Sequence, residues 1–140
     1  QIQSRASELR AQLAQDPRSL PPRLATAVAL QAMHCDYALW ASAEEQSLVD
    51  RLVADTSRRD PATLTAIAAY RPLVDLPDAE TLAKELDLDD DNPCRPVVQA
   101  GLLDPMRERA LARELATLGD ITRDVSRRVR AQYEAHPYPR

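Results

Sequence analysis

The chain has 140 residues, a formal charge of −4 and a hydrophobic content of 44%. This length suits one domain with a continuous core. The sequence holds 2 Gly and no Phe, while helix-forming Ala, Leu, Arg and Glu are abundant. Because strands favour β-branched and aromatic residues, the composition predicts an all-α fold without a sheet. The negative charge argues against general binding to nucleic acid or to anionic lipid.

The sequence pattern predicts two helices before residue 41. Apolar residues recur at helical spacing over residues 2–15, and Asp16-Pro17 ends that helix. Pro22 suits the first turn of a second helix, which is predicted to run to Trp40 with two apolar stripes. A helix that is apolar on two sides is usually central, so we expect it to be the most buried. Its expected core positions are Val28, Met33, Cys35 and Leu39.

Capping signals mark the later helices. Ser42 and Glu45 form a predicted capping box, and Asp60-Pro61 pairs an N-cap residue with a proline in the first turn. Further helix starts are predicted at Pro77-Asp78, Asn92-Pro93, Asp104-Pro105 and about Asp120. The chain is therefore predicted to contain seven or eight short helices, in an irregular bundle or a helical-repeat-like array.

The domain organisation follows from this pattern. Residues 1–140 are expected to form a single helical domain. Within it, residues 1–19 would be the end of a preceding repeat, and residues 120–140 a terminal helix and an extended tail that leads toward a further domain. The chain begins at Gln1 inside a helical pattern, which indicates a piece of a longer protein.

Cysteine usage and hydropathy indicate a cytoplasmic protein. Cys35 and Cys94 are far apart and form no C-x-x-C motif. Two buried, reduced thiols are the favoured interpretation, and a disulfide is the alternative. No segment approaches the ~20 apolar residues of a membrane span, and no signal peptide is present. We therefore expect no association with a membrane.

The sequence lacks the patterns that catalysis and cofactor binding require. Gly101 and Gly119 are its 2 glycines, so no glycine-rich turn is available to hold a phosphate or an adenosyl group. His34, Cys35 and Asp36 are the one close grouping of metal-ligand types, and successive helical residues point about 100° apart. We expect no catalytic residue, no cofactor and no metal in this chain, and a satisfied core or boundary role for His34.

Charged segments are expected to be solvated. The aspartates of residues 87–91 are predicted to lie in an exposed loop, where they would stay ionised. Arg123, Arg127 and Arg130 are predicted to share one face of the last helix. Since nearby acidic residues dilute this stripe, we expect it to contact the chain's own acidic region or a neighbouring domain, and no nucleic acid.

The C-terminal residues 129–140 read VRAQYEAHPYPR. This segment resembles one found in bacterial proteins that combine tetratricopeptide-type repeats with a class I S-adenosylmethionine-dependent methyltransferase domain. In that family a helix that ends in V-R-x-Q-Y-E-x-N-P-Y-P-R stands just before the methyltransferase domain. His136 replaces the usual Asn in this chain. Shorter likenesses reach back toward residue 20, at Asp36-Tyr37, at residues 42–45, at residues 69–73 and at residues 104–109.

The resemblance implies a non-catalytic helical accessory domain, which would support the catalytic domain or recruit its substrate. S-adenosylmethionine is implied as a cofactor of the parent protein and not of this chain. The alternative is an autonomous helical scaffold or adaptor that binds a protein or peptide, with an oligomeric state that the sequence leaves open. The candidate contact residues for a methyltransferase domain or another partner are Arg130, Tyr133, Glu134, His136, Tyr138 and Arg140.

Overall fold

The computed structural model describes the backbone of residues 2–135 and the side chains of residues 5–133. This part of the chain contains no strand, and its helices form six continuous segments. The all-α prediction is confirmed, while the number of segments is lower than the predicted seven or eight. The first five segments are α1 (Ile2–Gln15), α2 (Pro22–His34), α3 (Ala43–Ala54), α4 (Pro61–Ala68) and α5 (Ala79–Glu85). In the sixth, α6 (Arg95–Val98), a π-helical stretch (Gln99–Leu103) and α7 (Asp104–Ala135) follow one another directly.

The chain divides into two compact units, residues 1–106 and 107–140. The first unit contains α1 to α6, together with a 3-10 turn at Leu73–Asp75. The greater part of α7 belongs to the second unit.

α7 begins at Asp104, as predicted, but the helical backbone is not interrupted there, because a π-helical stretch leads directly into it. A proline inside an α-helix lacks one N–H donor, and its ring collides with the carbonyl four residues earlier. That carbonyl belongs to Gly101, which lies in the π-helical stretch, where the backbone has a wider turn. Asp104 does not act as an N-cap, because its own backbone is helical, with φ of −65° and ψ of −48°. Its carboxylate accepts a 2.6 Å hydrogen bond from the Gln99 side chain. The start predicted near Asp120 is wrong, since α7 continues through it.

Two of the predicted caps are confirmed. The Ser42 Oγ accepts a 3.1 Å hydrogen bond from the Glu45 backbone N–H, and the Glu45 carboxylate accepts a 2.7 Å bond from the Ser42 N–H. This is the complete capping box at the start of α3. Asp60 caps α4 through the Thr63 N–H at 3.3 Å, and Pro61 occupies the first turn.

The second helix ends six residues earlier than predicted. α2 stops at His34, and Asp36 and Tyr37 follow with φ of 51° and 61°. This left-handed backbone cannot continue a right-handed helix. The predicted core positions Cys35 and Leu39 are consequently wrong, because Cys35 is exposed and Leu39 is only half-buried. Of the other two, Val28 is buried, and Met33 is half-buried against the core.

The most buried helix is α4 and not α2. All eight residues from 63 to 70 are buried. Helices α1, α2, α3 and α6 all contact α4, which therefore lies at the centre of the first unit. Most of its side chains are Ala or Thr, so neighbouring backbones can approach it from every side. The two apolar stripes of α2 predict the wrong helix, because part of one stripe faces solvent, where Leu24 is 38% exposed.

A buried arginine joins α1 to the turn after α2. Arg10 is 1% exposed, and its guanidinium lies 4.5 Å from the centre of the Tyr70 ring. Its two terminal nitrogens donate hydrogen bonds to the backbone carbonyls of Leu39 and Trp40. Beside it, the Tyr70 hydroxyl donates a 2.6 Å hydrogen bond to Glu45. Burial, together with this carboxylate, raises the pKa of Tyr70 above its usual range.

A second arginine fastens the end of α3 to the start of α5. The Arg59 side chain is nearly buried and donates a 2.9 Å hydrogen bond through Nε to Asp78. Its terminal nitrogens donate to the carbonyls of Leu52 at 2.8 Å and Val53 at 2.7 Å. The hydrogen bonds from Arg59 hold the pKa of Asp78 below its usual range.

Truncation of Leu64 tests the assignment of α4 as the central helix. Leu64 is 0% exposed, whereas Leu24 on α2 is 38% exposed. We expect Leu64→Ala to lower the free energy of unfolding by about 2–5 kcal/mol, because it leaves a cavity. The matched control Leu24→Ala should cost less than about 1 kcal/mol. Urea denaturation of both variants measures the difference, and equal losses would contradict the assignment.

The Arg59–Asp78 pair predicts a loss of stability in acid. The folded state lowers the pKa of Asp78, so the pair stabilises the fold above the unfolded-state pKa of about 3.9. This contribution is lost as the pH falls through the lower, folded-state value. Between about pH 5 and about pH 3, Asp78→Asn should therefore show a shallower decline in the free energy of unfolding than the unmodified chain. Parallel slopes would show that the pair does not titrate with folding.

Candidate functional site

α7 carries a row of exposed apolar side chains. Its 32 residues begin at Asp104, and large apolar residues recur along it at spacings of three and four. Leu115 is 68% exposed, and the remaining members are each about half exposed. Exposed apolar surface of this extent is rare on a monomer and marks sites where another surface docks. The row consists of Leu111, Leu115, Leu118, Ile121, Val125, Val129 and Tyr133.

The structure describes two of the predicted contact residues in full. Arg130 and Tyr133 are exposed on the last turns of α7. With Val125, Ser126 and Val129 they line a shallow groove along the helix surface. Backbone alone is described for Glu134, at the end of the same helix. His136, Tyr138 and Arg140 lie outside the described residues, as does the extended tail predicted for them.

One member of the predicted arginine stripe on α7 forms an ion pair within the helix, since Arg123 pairs with Asp120, three residues earlier. Arg128, which is not part of that stripe, pairs with Asp124 at 2.9 Å. The side chains of both pairs are more than half exposed. Pairs of this kind contribute little stability because water screens them, so they remain available to exchange partners.

The turn after α2 is a second exposed feature. Its two consecutive residues with positive φ, Asp36 and Tyr37, are followed by Trp40, which is 81% exposed. Residues other than Gly rarely adopt this conformation, and such strain concentrates at functional positions. The bonds from Arg10 to the carbonyls of Leu39 and Trp40 hold the turn in place. Sequence analysis missed this feature because residues 35–40 fit a helical pattern.

A third feature is an apolar groove between α1 and α2. It lies where the exposed edge of Leu24 faces α1. Both helices contribute to its walls, and most of its lining is apolar. The lining residues are Arg5, Ala6, Leu9, Leu24, Ala27, Val28 and Gln31.

The residues with catalytic or metal-binding chemistry are dispersed over the described part of the chain. His34 is exposed, which contradicts the expected core or boundary role, and Cys35 is exposed as well. Cys94 is buried, and both thiols are free. Within residues 5–133, no three His, Cys, Asp or Glu side chains are grouped as metal ligands would be. The aspartates of residues 87–91 lie exposed in a loop, as predicted.

No helix in the described part of the chain has the length and apolar character needed to cross a bilayer. Neither models of protein families, nor curated proteins, nor solved structures match this chain. The likeness of residues 129–140 to methyltransferase-associated proteins therefore stays a prediction that rests on the motif residues themselves.

The strained turn predicts an unequal response to valine at two nearby positions. Asp36 has positive φ, whereas Ala38 does not, and both are exposed. A β-branched residue is strongly disfavoured at positive φ, so Asp36→Val should lower the free energy of unfolding by about 1–2 kcal/mol. The control Ala38→Val should change it by less than about 0.5 kcal/mol. Thermal or urea unfolding measures both, and a harmless Asp36→Val would show that the turn is not held in this conformation.

Proposed function

We propose that this chain is a non-catalytic helical accessory domain that acts by binding another protein domain. The observation that carries the proposal is the row of seven large apolar side chains exposed on α7. Apolar helix surface of this kind gains free energy when a second apolar surface covers it. The groove between α1 and α2 and the exposed Trp40 add further surface of the same chemical type.

The proposed partner is a class I methyltransferase domain, on the strength of the C-terminal motif. In the family that the segment resembles, the V-R-x-Q-Y-E residues end a helix just before the catalytic domain. The corresponding residues 129–134 lie in the last turns of α7, which ends at Ala135. Arg130 offers a guanidinium that suits a carboxylate, and Tyr133 offers an apolar ring with a polar tip. These side chains are proposed to contact the catalytic domain, with S-adenosylmethionine bound by that domain alone.

An autonomous adaptor is the second candidate, and the groove between α1 and α2 favours it. The groove lies in the first unit, away in sequence from the methyltransferase-like motif, and its apolar walls suit the apolar face of a bound helix. Under this alternative the chain would recruit a peptide without any catalytic domain attached.

The coding sequence beyond Arg140 distinguishes the two candidates. We expect it to encode a β-strand pattern followed by an acidic-x-Gly-x-Gly turn, because such turns hold the adenosyl group in class I methyltransferases. A stop codon after Arg140 would contradict the methyltransferase proposal and leave the adaptor.

In the intact protein, Tyr133→Ala combined with Tyr138→Ala should lower the rate of methyl transfer, because the proposed interdomain contact is lost. The melting temperature of the helical unit should stay nearly the same, since Tyr133 is exposed. Arg23→Ala is the control, as it removes an exposed side chain on α2 that lies outside the proposed contact surfaces. An unchanged rate in the double variant would remove these tyrosines from the proposed contact.

A further inference from the structure

We propose that α7 pairs with α7 of a second copy of this chain, in antiparallel orientation, to form a two-fold symmetric dimer. The pairing uses the stretch of α7 from residue 111 to residue 129. It rests on the same exposed row as the proposed function, while Arg130 and Tyr133, the proposed contacts to the methyltransferase domain, lie beyond its last paired position. Four features support it. They are the spacing of the apolar residues, the sizes of the side chains that would face each other, the charges beside them, and Gly119.

Five members of the exposed row, together with Thr122, follow the spacing of a coiled coil. These six positions alternate between four and three residues apart, so they correspond to the a and d positions of a heptad repeat. Polar residues occupy the next position at each end, Glu108 on one side and Gln132 on the other. The apolar stretch is thus bounded symmetrically, with its centre at residue 120. Its six core positions are Leu111, Leu115, Leu118, Thr122, Val125 and Val129.

A two-fold axis at residue 120 matches large side chains with smaller ones. Leu111 faces Val129 of the second copy, and Leu115 faces Val125. Leu118 faces Thr122 in the central layers. A self-complementary interface of this kind repeats each contact twice. A parallel pairing would instead place leucines against leucines and valines against valines. The side-chain volume would then differ from one layer of facing residues to the next.

Thr122 is compatible with a buried position in this interface. Its hydroxyl already donates a 2.9 Å hydrogen bond to the Leu118 carbonyl of the same helix. Burial against a second copy therefore leaves no unpaired hydroxyl, and the methyl group faces the partner leucine.

Charges beside the core select the antiparallel orientation. The same symmetry places Glu114 opposite Arg128 of the second copy, and this ion pair occurs twice. Arg128 pairs with Asp124 on the outer part of its own helix, and its guanidinium has enough donors to hold both carboxylates. Between the two pairs, Ile121 meets Ile121 of the second copy. A parallel pairing would set Glu114 against Gly119 and form no such ion pair.

Gly119 provides an argument that does not depend on the heptad. Glycine inside a helix costs roughly 1 kcal/mol relative to Ala. A Cβ at this position would meet nothing closer than Arg123 Nη2, at 4.0 Å. Its surroundings within the described residues therefore do not require glycine. In the proposed dimer Gly119 faces Gly119 of the second copy, flanked by Ala112 and Ser126, so small residues let the two backbones approach closely.

The size of the interface sets the expected affinity. The 19 residues from 111 to 129 span about 27 Å at 1.5 Å per residue. Two helices of that length make an interface at the low end of stable protein contacts. We therefore expect a dissociation constant of about 1–100 µM, and a dimer that dissociates on dilution.

Analytical ultracentrifugation of the full chain tests the pairing. We expect the dimer to dominate at about 500 µM and the monomer at about 0.1 µM. Leu115→Asp should be monomeric throughout, because it places a charge in the core, and it should still fold because Leu115 is 68% exposed. Arg127→Glu changes a charge on the outer face and should dimerise normally. Circular dichroism of each variant confirms that the helices remain.

Charge reversal tests the register. Glu114→Arg alone places two arginines together, and Arg128→Glu alone places two glutamates together, so each should weaken the homodimer by about tenfold. An equimolar mixture of these two variants restores both ion pairs, and it should dimerise more tightly than either variant alone.

Three results would overturn the proposal. A chain that stays monomeric at about 500 µM, or a dimer that persists in Leu115→Asp, excludes pairing through α7. A mixture of the charge variants that associates no more tightly than its components excludes the antiparallel register.

Discussion

Burial of α4, in which residues 63–68 are all buried, is the constraint on which the first unit depends. A buried helical segment must satisfy its polar groups without water. Thr65 does so by donating a 2.8 Å hydrogen bond to the Pro61 carbonyl, and Thr63 by donating a 2.7 Å bond to its own cap, Asp60. With those hydroxyls paired locally, α4 presents small, mostly apolar surfaces to α1, α2, α3 and α6. The other helices are arranged around it for that reason.

Hydrogen bonds from polar side chains connect the helices around this core. Arg10 connects α1 to the turn after α2. Tyr70, two residues after the end of α4, donates a hydrogen bond to Glu45 in the capping box of α3. Burial opposes ionisation of Glu45, but the hydrogen bonds from Tyr70 and Ser42 outweigh it and lower the pKa of this carboxyl. The strained residues Asp36 and Tyr37 persist because their surroundings fix the backbone on both sides.

Local signals were predictable from the sequence, and long-range packing was not. The Ser42 and Asp60 caps depend on residues three apart, so their motifs determine the geometry. The end of α2 depends on Arg10, 29 residues from Leu39, and no local pattern reveals that contact. Burial of α4 by four other helices is likewise a tertiary property. The small residues of α4 do not by themselves predict it.

The candidate surface on α7 was hidden by a wrong boundary. A helix end assigned near Asp120 separates Leu118 from Val125, so the leucines and valines were assigned to the faces of two different helices. In the structure they form one row along a single helix, and the heptad spacing becomes visible. Proline and aspartate are strong helix-start signals, yet the π-helical stretch accommodates Pro105 and the helix continues.

The proposed functions have one physical premise, which is that the apolar row of α7 is covered by another protein surface in solution. Hydrogen exchange of the full chain at about 1 µM and about 500 µM tests this premise residue by residue. If a second copy covers the row, the amides of residues 111–129 will exchange more slowly at the higher concentration, while those of α4 will not change. Exchange of α7 that is the same at both concentrations would contradict the dimer.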